Sequence, residues 1–162
     1  MPIGGEVSDP GEFRGPPPRI AGARRGWQHG YVSENTPDPT RSDAASVDLG
    51  ALIPTWSDWK AVSTELGVSV GKVRTYIREH HLAAAVPSPG AGQQIPSELL
   101  MDGQIVKGVP GLLTLLHDGG YDDRQILVWL FSDDATLPGR PIDALRENRG
   151  SEVKRRAQAM AF

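Results

Sequence analysis

A single glycine constrains the fold of this chain most, because it lies between two short segments that both follow a helical pattern. In the first segment, Trp59, Val62 and Leu66 recur on one helical face. Gly67 follows the last of these residues and suits the left-handed conformation that commonly ends a helix. The pattern therefore predicts a sharp corner at Gly67 between two short helices.

Capping residues predict where the two helices begin. Thr55, with Asp58 three residues later, resembles a capping box and predicts a first helix over 56–66. Ser69 suits the cap position of a second helix over 70–80. Two short helices joined by a glycine corner are the arrangement of a helix-turn-helix.

The second helix is predicted to have one buried face and one basic face. At 100° per residue, Val70, Val73 and Ile77 lie within about 60° of one another and would pack on the first helix. Lys72, Thr75 and Arg78 lie on the far side, and Arg74 and Tyr76 on the flanks. Helix-turn-helix proteins place such a helix in the major groove of DNA. We therefore expect duplex DNA to bind at Ser69, Lys72, Arg74, Thr75, Tyr76 and Arg78.

The segments after the second helix predict a wing and then more helices. A turn-rich stretch, PSPGAGQ, separates 82–86 from 94–96, and these two segments could pair as a hairpin. Apolar patterns that begin near Pro110, Asp122, Pro141 and Ser151 predict four later helices. The expected fold is mainly α, with a winged helix-turn-helix domain over 48–106 that has a small β-hairpin wing. A C-terminal helical domain over 107–162 follows it.

The first segment of the chain has a different composition from the rest. Residues 1–47 contain 7 Gly and 7 Pro, whereas the other 115 residues contain 19 of these two types together. Such a segment cannot bury enough apolar surface to offset its ordering entropy. We therefore expect 1–47 to be a disordered tail, and its Arg24–Arg25 pair to belong to a plain linker more readily than to a nucleic-acid anchor.

Composition and spacing also exclude several classes of function. The chain has no cysteine and a net charge of −3, and no apolar run is long enough to span a bilayer. His80–His81 and His117–Asp118 have no recognisable ligand or nucleophile pattern beside them, so we expect helix-end roles rather than a metal or catalytic site. The expectation is a cytoplasmic, nucleoid-associated protein that is not an enzyme and has no cofactor.

Two resemblances add to this interpretation. The stretch ELGVSVGKVRTYIREHHL resembles the DNA-binding segment of MerR-type regulators, in which an L-G-V turn is followed by an Arg and a Tyr. In that family the matching Arg and Tyr contact DNA phosphates, which implies the same role for Arg74 and Tyr76. The long dimerisation helix of MerR proteins has no counterpart after the wing.

The second resemblance covers about residues 50–162. KGVPGLLTLLHDGGYDD, WLF, LPGRPIDAL and EVKRRAQAMAF resemble small actinobacterial winged helix-turn-helix DNA-binding proteins of the type phosphorylated by a Ser/Thr protein kinase, protein kinase L. The resemblance implies a transcriptional regulator whose tail is phosphorylated. The exposed TPDPT stretch makes Thr36 and Thr40 the favoured acceptors, with Ser42 and Ser46 as alternatives. The wing departs from the family pattern, because VPSPGAGQQ is uncharged.

Two alternatives to the DNA hypothesis remain open at this point. The basic side of the second helix could be an ordinary solvated helix face. The WLF and LPGRPIDAL segments also resemble the toxin-binding domain of a class of antitoxins, which would make the C-terminal helical domain an adaptor for a protein partner. The predicted partners are double-stranded DNA, a Ser/Thr protein kinase and a second copy in a homodimer, with no membrane.

Overall fold

The computed structural model describes residues 43–162, which form a mainly helical fold with short antiparallel strand pairs. The seven α-helices of this range are α1 (Leu49–Leu52), α2 (Trp59–Leu66), α3 (Val70–Arg78), α4 (Val109–Asp118), α5 (Asp123–Phe131), α6 (Pro141–Arg146) and α7 (Gly150–Ala161). Its strands are β1 (Trp56–Ser57), β2 (Ile95–Pro96), β3 (Leu100–Met101) and β4 (Gln104–Ile105), with 3₁₀ turns at Ala44–Ser46 and Ser97–Leu99. The expected fold class, a winged helix-turn-helix followed by a C-terminal helical part, is confirmed.

The first helix of the helix-turn-helix begins later than the predicted residue 56. Asp58, not Thr55, is its N-cap, and the Asp58 carboxylate accepts a hydrogen bond from Ala61 N at 2.7 Å. Trp56 and Ser57 are extended because they pair with Pro96 and Ile95 as β1 and β2. The capping-box prediction at Thr55 was therefore wrong, since strand pairing with a distant segment decides the conformation of residues 56 and 57.

The wing has less strand pairing than the predicted hairpin. Ala85 and Gln94 form a single antiparallel bridge, with N···O distances of 3.0 and 2.9 Å. The residues after Gln94 turn to β1 instead of continuing along 82–84. A second pair, β3 with β4, closes through Asp102 and Gly103, whose φ angles of +54° and +77° produce the expected tight turn.

One hydrophobic cluster joins the winged part to the C-terminal helices. Val62 and Val73 are fully buried between α2 and α3, and Ile95 and Leu99 are buried beside the wing. All six residues from Ile126 to Phe131 are buried, so α5 is surrounded by protein on every side. Among residues 43–162, no helix is long and apolar enough to cross a membrane.

Two arginines connect the C-terminal helices to the segment that follows the wing. Arg140 reaches Glu98 at 3.2 Å and Asp143 at 2.7 Å, and Arg146 donates to the carbonyls of Glu98 and Leu100, both at 2.8 Å. The hydrogen bond with Asp143 is the main reason why the pKa of Arg140 is raised. The same bond lowers the pKa of Asp143.

A buried carboxylate holds the loop after α5 in place. Asp134 accepts hydrogen bonds from Trp129 Nε1 at 3.1 Å, Arg156 Nε at 3.0 Å and both donors of Thr136, at 2.9 and 2.6 Å. Burial alone would raise the pKa of Asp134, but these bonds outweigh burial and hold the pKa well below its usual range. Asp134 thereby ties α5 to α7.

The two ends of the described range also differ from expectation. The last helix begins at Gly150 after Arg149, without a side-chain cap, so the expected cap at Ser151 is wrong. At the other end, the sequence predicts that the tail extends to residue 47, yet Ala44 is buried in a 3₁₀ turn. Arg124 donates hydrogen bonds to the carbonyls of Ala44, at 3.0 Å, and Val47, which attach this segment to α5.

Candidate nucleic-acid interface

The corner between α2 and α3 has the geometry that the sequence predicts. Gly67 has φ +68° and Val68 N donates to Ser63 O at 3.0 Å, which ends α2 and turns the chain. Ser69 Oγ then accepts from Lys72 N at 3.1 Å and caps α3. Ser69 is exposed, as expected, but its hydroxyl is already engaged in starting the helix.

The buried side of α3 fixes which residues face solvent. Val73 is fully buried, and Ile77 packs partly buried against the core. Lys72, Arg74 and Arg78 are exposed, and within residues 43–162 none of them has a carboxylate at ion-pair distance. Three cations on one short helix thus remain available for an external anion.

Side chains on α3 also interact with one another. Thr75 Oγ1 donates to Gly71 O at 3.2 Å and accepts from Arg78 Nη2 at 3.4 Å. The Lys72 ammonium lies 5.0 Å from the centre of the half-buried Tyr76 ring. These contacts restrain Lys72 and Arg78 without neutralising either charge, because both partners are uncharged.

The segment after α3 brings together residues that the sequence did not connect. His80 has φ +62°, His80 N donates to Ile77 O at 3.2 Å, and His81 N donates to Tyr76 O at 2.7 Å. This is a Schellman-type helix end in which a histidine occupies the place usually taken by glycine. It turns the chain at the end of α3, and the His80 ring stacks on His117 with 3.7 Å between ring centres.

The expected helix-end roles of the histidines therefore need correction. His117 Nε2 lies 2.6 Å from Asp123 Oδ1, so the His117 ring interacts with α5 rather than with the carbonyls that end α4. His80 has two potential ligand residues close to it, which contradicts the expectation that no such cluster exists. No local signal could have shown this, because the three residues come from separate elements.

The structure describes the wing loop but not the proposed phosphorylation positions. The wing loop over 86–93 is uncharged, and Val86 at its start is 41% exposed. Thr36 and Thr40, the favoured phosphorylation positions, lie outside the described residues, as does the tail over 1–42. The described DNA candidates are therefore confined to α3 and its cap.

The fold and the exposed basic helix define a winged helix-turn-helix protein with a C-terminal helical part. The chain belongs to the Rv2175c family. It is 44% identical to the DNA-binding protein Rv2175c of Mycobacterium tuberculosis (strain ATCC 25618 / H37Rv) in an alignment of 122 positions that covers 67% of this chain and 82% of that protein.

Two further comparisons agree with this assignment. Residues 106–161 match a family model described as the Rv2175c C-terminal domain of unknown function. The NMR structure of Rv2175c aligns with a TM-score of 0.61 at 43% identity, covering 67% of this chain and 82% of that one. The relative is thus similar in both sequence and fold.

Proposed function

We propose that the protein is a DNA-binding transcriptional regulator that inserts α3 into the major groove of duplex DNA. One observation carries the proposal: Lys72, Arg74 and Arg78 lie exposed on the second helix of a helix-turn-helix without carboxylate partners in the described range. The similarity to a protein named as DNA-binding supports it. The net charge of −3 does not oppose it, because phosphate contacts depend on local charge.

The position of each candidate residue on α3 and its cap indicates its role in DNA binding. Lys72 and Arg78 face outward and would contact phosphates or base edges, with Thr75 between them. Arg74 and Tyr76 would contact the backbone on the two flanks. Ser69 keeps the helix start in place as a cap, and its exposed position would let it face a phosphate at that end.

The two parts of the chain would have different roles in DNA binding. We propose that residues 48–106 form the DNA-reading domain and that 107–162 form a helical domain that supports it. Arg146 supports this division, since it reaches from α6 to two carbonyls beside β3. A half-buried arginine with two such bonds holds one part against the other without using any residue of α3.

The test is a fluorescence-anisotropy titration of labelled duplex DNA at several salt concentrations. Bound genomic fragments, recovered by pull-down and sequenced, supply the duplex. We expect Lys72→Ala with Arg78→Ala to weaken binding and to reduce the slope of log K against log salt by about 2, roughly 0.9 per lost phosphate contact. The matched control is Lys154→Ala with Arg155→Ala, which removes the same charge from two exposed positions of α7.

These variants separate a local interface from a general charge effect. Equal loss of affinity in both double variants would indicate non-specific attraction and would remove α3 from the proposal. The stoichiometry of the complex, read from the same titration, reports whether one copy or a homodimer occupies each site.

We further propose that phosphorylation of Thr36 or Thr40 by a Ser/Thr protein kinase weakens DNA binding. Each phosphate adds about −1.5 to −2 charges. Because the tail and α3 belong to the same chain, this charge would compete with the DNA backbone for the same cations. The test compares affinities of the unmodified protein, Thr36→Glu with Thr40→Glu, and Thr36→Ala with Thr40→Ala in one buffer. Equal affinity of the Glu and Ala forms would refute this switch.

A further inference from the structure

Three potential metal-ligand residues from three different elements meet at the end of α3. His80 follows α3, His117 lies in the last turn of α4, and Asp123 is the first residue of α5. One ligand atom from each residue lies within 4.8 Å of the other two. All three side chains are partly buried, so the cluster is neither a random surface group nor a sealed core pocket.

The backbone around the cluster holds the three side chains in place. His80 is turned off the helix axis by the Schellman-type end of α3, where His80 N and His81 N bond to carbonyls of the last turn. Asp123 Oδ2 accepts a hydrogen bond from Ala84 N at 3.2 Å, which fixes the carboxylate beside the segment that follows α3. His117 is held between them by its 2.6 Å contact with Asp123 Oδ1.

The arrangement of the two histidines is energetically unfavourable without a ligand, and a bound cation would make it more favourable. Their rings stack at 3.7 Å between centres with 25° between planes, so two charged imidazolium rings would repel each other. His80 Nδ1 is buried and has no hydrogen-bond partner among residues 43–162. A buried nitrogen lone pair or N–H without a partner is unfavourable and calls for a partner of its own.

We propose that His80, His117 and Asp123 bind one divalent transition-metal ion of the zinc class. Two imidazole nitrogens and one carboxylate oxygen are a donor set that Zn²⁺ accepts, whereas Mg²⁺ and Ca²⁺ prefer oxygen donors alone. Three protein ligands leave the fourth tetrahedral position to water. No cysteine is required, so the absence of cysteine from the chain does not exclude this site.

Small side-chain rotations convert the present arrangement into a coordination sphere. Zinc bonds of about 2.0–2.1 Å place tetrahedral ligand atoms roughly 3.3 Å apart. His117 Nε2 and Asp123 Oδ1, now 2.6 Å apart, would move slightly away from each other, and a ligand atom of His80, which lies within 4.8 Å of both residues, would complete the set. Rotation about the last torsion of histidine, which is a soft one, lets the stacked rings fan apart and point their nitrogens to one centre. The ion takes the position between His117 Nε2 and Asp123 Oδ1, and the proton of that contact leaves to solvent.

An ion at this position would tie the end of α3 to both α4 and α5. It would fix the angle at which α3 leaves the core, using residues that are not among the proposed DNA contacts. The affinity for the metal can therefore be measured whether or not the chain binds DNA.

The test is a competition titration of the full-length protein with Zn²⁺ against a chromophoric chelator. We expect one ion per chain and a rise of Tm with zinc concentration. His80→Ala and Asp123→Asn should each reduce the affinity at least tenfold, because the first removes an imidazole ligand and the second replaces a charged carboxylate with a neutral amide. The matched control is His81→Ala, which removes the neighbouring histidine outside the cluster and should keep the parent affinity.

Circular dichroism and Tm without metal show whether each variant is folded. His80→Gln replaces His80→Ala if the alanine form does not fold, since it keeps a polar side chain of similar length. Zinc affinity that is equal in the parent and in a folded His80 or Asp123 variant would overturn the proposal. Such a result would assign the metal to other residues, for example His29 in the tail, and no binding above the chelator background would overturn it as well.

Discussion

Replacing Asp134 tests the buried network that ties α5 to α7. Asp134→Ala removes the acceptor of the Trp129 indole N–H, and this buried donor would then lack a partner at a cost of about 1–3 kcal/mol. It also removes the pair with Arg156, whose side chain is 39% exposed, so solvent screening limits that loss to about 1 kcal/mol. The two donors of Thr136 can turn to water because Thr136 is exposed. The expected decrease in the free energy of unfolding is therefore about 2–4 kcal/mol.

Urea denaturation followed by far-UV circular dichroism measures this loss. Asp134→Asn keeps the shape of the side chain and one acceptor oxygen, so it should cost less than Asp134→Ala. Because Trp129→Phe removes the donor that Asp134→Ala leaves unpaired, the double variant should lose less stability than the sum of the two single losses. A loss below about 1 kcal/mol in Asp134→Ala, or full additivity with Trp129→Phe, would refute the role assigned to this network.

The pH dependence gives an independent check on the same carboxylate. The folded pKa of Asp134 lies below its unfolded value of about 3.8, so the charged form stabilises the fold. This contribution is fully present above that value and is lost as the pH falls through the folded pKa. The stability difference between the parent and Asp134→Asn should therefore be constant near neutral pH and shrink below about pH 4.

Three further substitutions test other parts of the fold. Gly67→Ala should destabilise by roughly 1–2 kcal/mol in thermal or urea unfolding, because a residue with a side chain is strained at a φ of +68°. Apart from its chain neighbours, no atom of residues 43–162 lies within 4 Å of the added methyl group, so backbone strain is the only expected cost, and no change in stability would mean that the corner can relax. Arg146→Ala should cost about 2–3 kcal/mol through loss of two bonds to carbonyls, and Arg146→Met, which keeps the stem, should not restore it. Arg124→Ala should speed amide exchange at residues 44–47 while leaving α5 protected, whereas uniform exchange changes would contradict a local anchor.

Local sequence signals predicted the helix-turn-helix well because its geometry depends on nearby residues. Gly67 and Ser69 act within their own turns, and each takes the conformation that its chemistry favours. The same holds for Asp122, which forms a capping box with Gln125, and for Pro141 at the first position of α6. Such signals need no knowledge of the rest of the fold.

The predictions that failed depend on residues far apart in the sequence. Trp56 and Ser57 belong to a strand because β2 lies beside them, although a capping pattern around them favours a helix. The contact between His80 and His117 forms only when the fold brings the residues after α3 to the last turn of α4. Tertiary contacts outweighed local preference in both places, and a single sequence does not show those contacts.

We propose that duplex DNA binds to α3 and its cap. Nuclear magnetic resonance tests this binding site residue by residue. The ¹⁵N-labelled protein is titrated with a DNA duplex whose sequence was recovered in the genomic pull-down. The largest changes in amide chemical shift should fall within residues 69–78, while the amide signals of α7 should keep the positions they have in the free protein. Shifts concentrated on α7, with Lys72 and Arg78 unchanged, would contradict the account and assign DNA binding to another surface.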